Sequence, residues 1–225
     1  MCVFPQQTST KEENLNPGFK FRFPSQTTII GATQSGKTTL LRKIIENSSV
    51  TFESPIANIF WFCGVKTDSI PYHLPNIRVF EGIPDIELLK EYRHQRNIVV
   101  CDDLMTEFSK SKDSLNILNT LFTVYAHHYN CAVFNLVQSA FALPPITRNN
   151  STYIILMRSM SDAAQIKNLL VQQFGVKWRG AYQAYQDIMS KPYQAMLINN
   201  DPISPPNMRI ISNFTDEYPI AYEPV

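Results

Sequence analysis

The sequence predicts an α/β fold in which a largely parallel central sheet is flanked by helices and gains extra strands near its C-terminal end. Continuous apolar runs of strand length alternate along the chain with segments of helical periodicity. One β-branched run breaks into a glycine-bounded loop and then into good helix formers, and another apolar run ends in two carboxylates. At 225 residues with 44% hydrophobic content, the chain is long enough for one sizeable core of this kind.

The first elements lead to the glycine-bounded loop. Phe19–Phe23 alternates apolar and basic residues, which predicts an edge strand, and Thr27–Leu40 follows as TTIIGATQSGKTTL. This stretch matches GxxxxGK[ST], the pattern of a strand, a phosphate-binding loop and a helix. The glycines bring backbone N–H groups against phosphate oxygens, and the helix N-terminus adds its dipole. The predicted nucleotide-binding residues are Gly31, Ala32, Thr33, Gln34, Ser35, Gly36, Lys37, Thr38 and Thr39.

Two of these residues have specific predicted roles. Lys37 is expected to reach the β- and γ-phosphates, and the Thr38 hydroxyl is expected to bind Mg²⁺. The alternative is a chance match, which average residue frequencies put at roughly one in a hundred chains of this length. The flanking strand and helix make chance less favourable still.

The next segments build towards a second motif. A helix is predicted over Thr38–Asn47, a fully buried parallel strand over Ala57–Cys63, a short strand over Ile77–Phe80 and a helix over Asp85–Tyr92. A strand-like run therefore lies in sequence between the phosphate loop and the second motif, which suits NTPases with an inserted strand and an adjacent catalytic acid, the RecA/ASCE-like branch.

The second motif is Asn97–Leu104, NIVVCDDL. Its carboxylates have the form of a Walker B pair at the carboxyl end of a strand, where open α/β sheets bind their ligands. Asp102 is the predicted Mg²⁺ ligand, and Asp103 is predicted to orient or deprotonate the attacking water. An acidic turn after a core strand is the alternative, which the upstream loop disfavours.

Two further candidates follow a helix predicted over Leu115–Tyr129, which Asp113 or Ser114 would cap. The strand over Ala132–Ser139 ends in Gln138, whose amide can hydrogen-bond both the attacking water and the γ-phosphate. Arg148 lies in a polar turn after two prolines, and an arginine on a rigid exposed turn can act as an arginine finger in a neighbouring subunit. A plain surface arginine is the alternative, and Arg158 is the competing candidate.

The remaining elements extend or close the sheet. They are strands over Thr152–Met157, Gln194–Ile198 and Met208–Ile211 and helices over Ser161–Phe174 and Trp178–Met189. We expect a mobile arm over 1–16, a single domain over 17–214 and a tail over 215–225 that either docks or stays mobile.

Composition limits the partners. No apolar run reaches 18 residues and no signal peptide pattern is present, so we expect a soluble intracellular protein with no membrane partner. The four cysteines form no CxxC pair, which favours buried reduced thiols over zinc or disulfides. A net charge of +1 gives no global electrostatic footprint for nucleic acid. DNA contacts would therefore be local or come from an oligomer.

Five segments together resemble a known family. The segments are GATQSGKTTLL, IVVCDDL, the strand ending in Gln138, PPITRNN and YQDIMSKPYQAMLIN. Their order and spacing resemble those of the genome-packaging ATPases of large DNA viruses and Polinton (Maverick) elements. These ATPases form the poxvirus-type clade of the FtsK/HerA P-loop superfamily. The resemblance covers roughly Thr27–Asn200. By position, the resemblance assigns the loop lysine to Lys37, the metal ligand to Thr38 and the Walker B pair to Asp102 and Asp103. It assigns the sensor to Gln138 and the arginine finger to Arg148. Many relatives place Glu where this chain has Asp103.

The resemblance implies a function. It implies a homo-oligomeric ring, hexameric or pentameric, that hydrolyses ATP with Mg²⁺ between subunits. The ring would drive double-stranded DNA into a viral capsid at its portal vertex, at sites of virion assembly in the host cytoplasm or nucleus. Two alternatives share the motifs: another nucleic-acid-dependent NTPase or helicase, and an assembly switch that binds ATP with little turnover. A small-molecule kinase is disfavoured because no acceptor site or Arg-rich lid is evident.

Overall fold

The computed structural model describes residues 18–224, so the arm predicted over 1–16 lies outside the described part. Within that part, strands of three to seven residues form one sheet. They are β1 (Ser25–Ile30), β2 (Asn58–Cys63), β3 (Ile77–Glu81), β4 (Asn97–Asp102), β5 (Cys131–Val137), β6 (Tyr153–Met157), β7 (Ala195–Asn199), β8 (Ile210–Ser212) and β9 (Ile220–Tyr222).

The spatial order of the strands is β3-β2-β4-β5-β1-β6-β7-β8-β9. The first six in this order are parallel to one another, and the last three continue the sheet in antiparallel pairing. This confirms the predicted α/β class with a largely parallel sheet and extra C-terminal strands. The strand inserted between β1 and β4 is β5, whereas the run Ala57–Cys63 forms β2 on the far side of β4.

Helices cover both faces of the sheet. They are α1 (Lys37–Glu46), α2 (Ser48–Thr51), α3 (Ile86–Glu91), α4 (Met105–Phe108), α5 (Lys112–Thr120), α6 (Ala126–His128), α7 (Pro145–Asn149), α8 (Ala163–Phe174) and α9 (Trp178–Ile188). A π-helical turn over Leu121–Tyr125 joins α5 to α6. The predicted caps of this helix were wrong: the Ser111 hydroxyl accepts a hydrogen bond from the Ser114 backbone N–H at 3.0 Å, because it precedes the first turn by the spacing that a cap requires.

Two hydrophobic clusters pack on the two faces of the sheet. On one face, Leu41 and Ile44 of α1 pack against strand residues such as Ile29 and Val100. On the other face, α3, α5, α8 and α9 cover residues such as Val99. The strands are buried on both faces, which explains why their sequences are continuously apolar rather than alternating.

The edge strand predicted over Phe19–Phe23 is wrong. Phe21 makes an isolated parallel bridge with Phe52, and its side chain is fully buried. Its ring packs edge-on against Phe134 and Tyr153, with centroids 5.6 and 5.2 Å away. Two backbone hydrogen bonds to the 51–53 segment and the burial of this aromatic ring fix the position of Phe21, which therefore belongs to the core although no strand forms.

The end of the described chain is docked on the sheet. Ile220–Tyr222 pairs antiparallel with β8, so the segment 215–225, for which docking and mobility were both open, contributes β9. Cys63, Cys101 and Cys131 are free and buried, as expected for reduced thiols, while Cys2 lies outside the described residues. No helix among residues 18–224 has the length and apolar character needed to cross a bilayer.

Candidate active site

The glycine-bounded loop leaves β1 and turns into α1. Gly31 follows the end of β1, and its N–H donates to the Val137 carbonyl at 3.2 Å. A Cβ added to Gly31 would lie 2.6 Å from Ser35 Oγ and 2.9 Å from Met157 Cβ, so the close approach requires glycine. Gly36 has a φ of +94°, which side-chain-bearing residues rarely adopt. Both glycines are therefore required by the geometry of the loop.

Lys37 spans the loop that precedes it. Its Nζ donates to the carbonyls of Gly31 at 2.7 Å and Ala32 at 3.0 Å. Burial lowers the pKa of Lys37, and the charges of Asp103 and Asp102 oppose that shift. Within the described residues the buried Ser35 hydroxyl has no hydrogen-bond partner. The loop thus offers an ammonium group suited to an anion, whereas the unpaired Ser35 hydroxyl is shielded from solvent.

Asp102 ends β4 beside this loop. Burial raises the pKa of its carboxyl to about 6, and the charge of Asp103 adds to the rise. Lys37 lowers that pKa, as do the nearby side chains of Trp61 and Thr38. The Trp61 indole N–H is buried and, among residues 18–224, makes no well-formed hydrogen bond. Asp102 is therefore a partly buried carboxylate with one cationic neighbour and a neighbouring hydroxyl.

Asp103 and Gln138 are brought together by the sheet order. Because β5 lies beside β4, their polar residues end at the same edge, and Gln138 Nε2 donates to Asp103 Oδ2 at 2.8 Å. Both side chains are exposed. Asp103 has a φ of +55°, a left-handed conformation that Asp tolerates better than most residues. The amide and the carboxylate thus lie next to each other, close to the loop that holds Lys37.

The two candidate arginines lie in different environments. Arg148 was expected on an exposed turn, and that placement is wrong: it is in α7 and only 7% exposed. Its Nη1 donates to the Ala140 carbonyl at 3.2 Å, and its guanidinium lies 5.1 Å from the centroid of the Phe141 ring. The segment is helical because Pro145 occupies its first turn, where proline is favoured. Arg158 is exposed and borders a shallow depression with Ala32 and Ser35.

The oxygen donors beside the loop fit a magnesium ion. Mg²⁺ is usually held by one or two protein oxygens together with substrate phosphates and water. Asp102 and Thr38 are neighbours that offer such oxygens. A buried carboxylate with a raised pKa is also stabilised by a nearby cation. Among residues 18–224, at this site or away from it, no three His, Cys, Asp or Glu side chains are arranged to hold a metal by themselves.

Residues that the sequence reasoning missed line a cavity of about 660 Å³ next to the loop. Tyr193, Asn213 and Phe214 come from segments that flank β7 and β8, far from the loop in sequence. The only available signal was the position of Tyr193 in the YQDIMSKPYQAMLIN segment. Trp61, beside Asp102, was also missed, because in an apolar run it resembles any other core residue.

The sheet order and the loop geometry define the fold of P-loop NTPases, with one strand inserted between the loop strand and the acidic strand. Protein-family models were compared with the chain and none matches, nor does any curated protein sequence. The comparison with solved structures, in contrast, gives matches across most of the chain.

Three of the matching solved structures illustrate the shared fold. The DNA-packaging ATPase B204 from Sulfolobus Turreted Icosahedral Virus superposes with a TM-score of 0.55 at 12% identity, covering 90% of this chain and 98% of B204. The genome packaging NTPase B204 from Sulfolobus turreted icosahedral virus 2, in complex with ATP-γS, gives 0.51 at 12%, covering 94% and 100%. The cytoplasmic domain of the Thermomonospora curvata type VII secretion ATPase EccC gives 0.56 at 14%; the match covers 89% of this chain but only a quarter (25%) of EccC.

Proposed function

We propose that the protein is an ATP-hydrolysing motor that moves double-stranded DNA into a viral capsid and acts as a homo-oligomeric ring. The observation that carries the proposal is the meeting of the loop lysine, the two aspartates and Gln138 at one edge of the sheet. Neighbours of the same fold include packaging NTPases that match nearly the whole chain, which supports the choice of motor. The sequence resemblance to viral and Polinton packaging ATPases supports it independently.

The chain's own residues have distinct roles in this account. The loop N–H groups and Lys37 bind the phosphates of ATP, and Thr38 and Asp102 would hold Mg²⁺, which neutralises phosphate charge when bound. Asp103 either accepts a proton from the attacking water or orients that water. Gln138, held by Asp103 at 2.8 Å, is placed to hydrogen-bond the same water and the γ-phosphate. Hydrolysis thus depends on the alignment of β4 and β5.

The trans-acting arginine is a choice between two residues. Arg148 is the residue that the resemblance assigns, but acting in a neighbouring subunit requires it to leave its contact with the Ala140 carbonyl. Arg158 is already exposed, although it borders its own phosphate loop. We keep Arg148 as the proposed finger and Arg158 as its competitor.

The partners follow from the proposed reaction. They are double-stranded DNA, further copies of this chain and the portal vertex of a capsid, at sites of virion assembly in the host cytoplasm or nucleus. The net charge of +1 requires that DNA contacts be local. The polar segment before α5 carries two lysines that could contact a phosphate backbone, Lys110 and Lys112. Lys110 is already paired with Glu107 at 2.6 Å, whereas Lys112 begins α5 and is exposed, so Lys112 is the better candidate.

A strand-displacement experiment tests translocation. A linear duplex with a short third strand bound at one end is mixed with the full chain, Mg²⁺ and ATP, and release of the third strand is followed. We expect release that requires ATP hydrolysis, and none from Lys37→Ala, whose loop cannot hold the phosphates. Lys90→Ala, which removes an exposed lysine of α3, is the matched control and is expected to behave like the wild type.

Two results would overturn the proposal. A protein that hydrolyses ATP but releases no third strand would be another nucleic-acid-dependent NTPase. A protein that binds ATP with little turnover, whether or not DNA is present, would be an assembly switch.

A further inference from the structure

The cavity beside the phosphate loop is built from two distant parts of the chain. One wall is Gly36 together with the start of α1, including Thr39 and Leu40, and the other comes from the residues before β7 and after β8. Its volume, about 660 Å³, lies within the range of small-molecule sites. Helix N-termini bind phosphate groups, and Gly36, Lys37 and Thr38 at the N-terminus of α1 line this cavity, so a nucleotide held there by its phosphates has the cavity next to its sugar and base. The cavity is therefore placed where a nucleoside would lie.

Tyr193 is unusual among the residues that line the cavity. Its side chain is 73% exposed, although large aromatic side chains usually bury most of their surface. Its backbone has a φ of +58°, a left-handed conformation that is rare and strained for a residue with a bulky side chain. A Cβ added to Gly36 would lie 3.4 Å from Tyr193 Cδ1, so the ring stands against the loop itself. A strained backbone that holds an exposed ring against this loop indicates a functional role for Tyr193.

The rest of the lining suits a nucleoside. Phe214 is 3% exposed and, with Met157, supplies apolar surface. Asn213 and Gln194 add side-chain amides, which offer both donors and acceptors to the edge of a base. Such a combination of apolar walls and a few polar groups is typical of ligand sites.

An ion pair ties the two walls together. Lys43 Nζ, on α1, lies 2.7 Å from an oxygen of Asp216, in the segment that follows β8. Both side chains are about half exposed, so the pair contributes little to stability by itself. It does connect the phosphate-binding helix to the segment that carries Asn213 and Phe214.

We propose that this cavity binds the nucleoside of the nucleotide and that the base stacks on the ring of Tyr193. The proposal rests on the proposed function, since it requires a nucleoside triphosphate with its phosphates in the loop. It adds the residues that distinguish a nucleotide from bare polyphosphate. An aromatic ring stacks on any base, so Tyr193 supplies affinity, while the amides of Asn213 and Gln194 supply the choice between bases.

Equilibrium binding by the full chain tests the proposal, with ATP and inorganic tripolyphosphate as probes in the presence of Mg²⁺. We expect Tyr193→Ala to weaken ATP binding between about fivefold and 150-fold, the range of base–aromatic stacking. Its tripolyphosphate affinity should equal that of the wild type. Tyr193→Phe keeps the ring and should bind ATP within about twofold of the wild type. Tyr218→Ala removes a similarly exposed ring, 67% against 73%, outside the cavity and should change neither ligand.

The outcomes separate this proposal from the one on which it rests. If the wild type binds neither ATP nor tripolyphosphate, the proposed function fails and the nucleoside site fails with it. If the wild type binds both and Tyr193→Ala binds ATP equally well, only the nucleoside site is overturned. Loss of tripolyphosphate affinity in Tyr193→Ala would also overturn it, because the ring would then act on the phosphate loop and not on the base.

Discussion

The carboxylate of Asp102 destabilises the folded chain when it is ionised. It ends a buried strand, and burial together with the adjacent Asp103 raises its pKa from 3.8 to about 6. A folded-state pKa above the unfolded value means that folding favours the protonated form. Without a cation, the folded chain therefore loses stability as the pH rises from about 4 through 6. A carboxylate kept at such a cost is typical of a functional site.

Asp102→Asn tests this account in metal-free buffer. Asn mimics the neutral carboxyl group, so the variant should be more stable than the wild type at pH 8, by up to about 3 kcal/mol. The gap should narrow towards zero below pH 4. Urea unfolding at several pH values measures it, and Asp68→Asn, which changes an exposed carboxylate, is the control. Equal stabilities of Asp102→Asn and the wild type at pH 8 would contradict the account.

Residue identity alone was enough to predict that the glycine-bounded loop and the acidic pair belong to one site, because glycines, lysine and carboxylates in these patterns have few other uses. The structure places Lys37 near both aspartates, and the roles of these residues stay predictions. The environment of Arg148 could not be predicted in the same way. A polar turn sequence indicates exposure, but its burial depends on Phe141 and Ala140, which come from a neighbouring segment. Likewise, nothing local in the sequence distinguishes Trp61 from a plain core residue.

At the scale of elements, the loop between β1 and α1 is fixed by packing as well as by backbone conformation. Gly31→Ala would place a methyl group 2.6 Å from Ser35 Oγ and 2.9 Å from Met157 Cβ. We expect a loss of about 1–3 kcal/mol in the free energy of unfolding, since neighbouring strand atoms must shift. Thermal and urea unfolding measure it. Gly64→Ala is the matched control, since nothing lies within 4 Å of its Cβ position, and it should be nearly neutral.

A Gly31→Ala variant as stable as Gly64→Ala would show that the loop adapts easily. In that case the close approach of Gly31 to Met157 would not be the reason for glycine at this position.

The helix α7 raises a second question, because its Arg148 is the proposed finger but is buried. We expect Arg148→Ala to lose turnover while a single subunit still binds nucleotide. Mixing Arg148→Ala with Asp103→Asn subunits should restore part of the activity, because some interfaces would then combine an intact arginine with an intact acid. Steady-state ATPase activity across mixing ratios measures the rescue.

Absence of rescue, in an assembly shown to form, would give Arg148 a different role. It would then hold the Ala140 carbonyl, and with it the segment after Gln138, within its own subunit. The same mixing experiment with Arg158→Ala would follow.

Periodicity predicted which segments form helices and which form strands for most of the chain, but it did not predict which strands lie side by side in the sheet. The apolar runs gave β2, β4 and β5, but the order of these strands depends on crossover connections that no local pattern specifies. The prediction for the segment around Phe21 was wrong because packing overrode the local pattern. Its alternation resembled a strand, yet burial of one ring between Phe52 and Phe134 decided its structure.

At the scale of the whole molecule, the sheet brings four sequence-distant segments to one edge. The phosphate loop, the acidic pair, Gln138 and the Tyr193 segment meet because six parallel strands are continued by three antiparallel ones. The antiparallel addition places β7 beside β6, and this puts Tyr193 against the loop. The candidate catalytic residues could be named one by one from the sequence, but the cavity could not, because it exists only in the assembled sheet.

The proposed motor is a ring of several copies of this chain. Its active sites would be shared between subunits, so turnover must depend on assembly. DNA in contact with the ring would favour the assembled state and raise turnover further.

The most direct test is steady-state ATP turnover per subunit, measured against protein concentration with and without long double-stranded DNA. The account predicts turnover that rises with concentration and rises again when DNA is present. Turnover that stays flat across concentration and is indifferent to DNA would contradict it, because each chain would then be a self-contained NTPase.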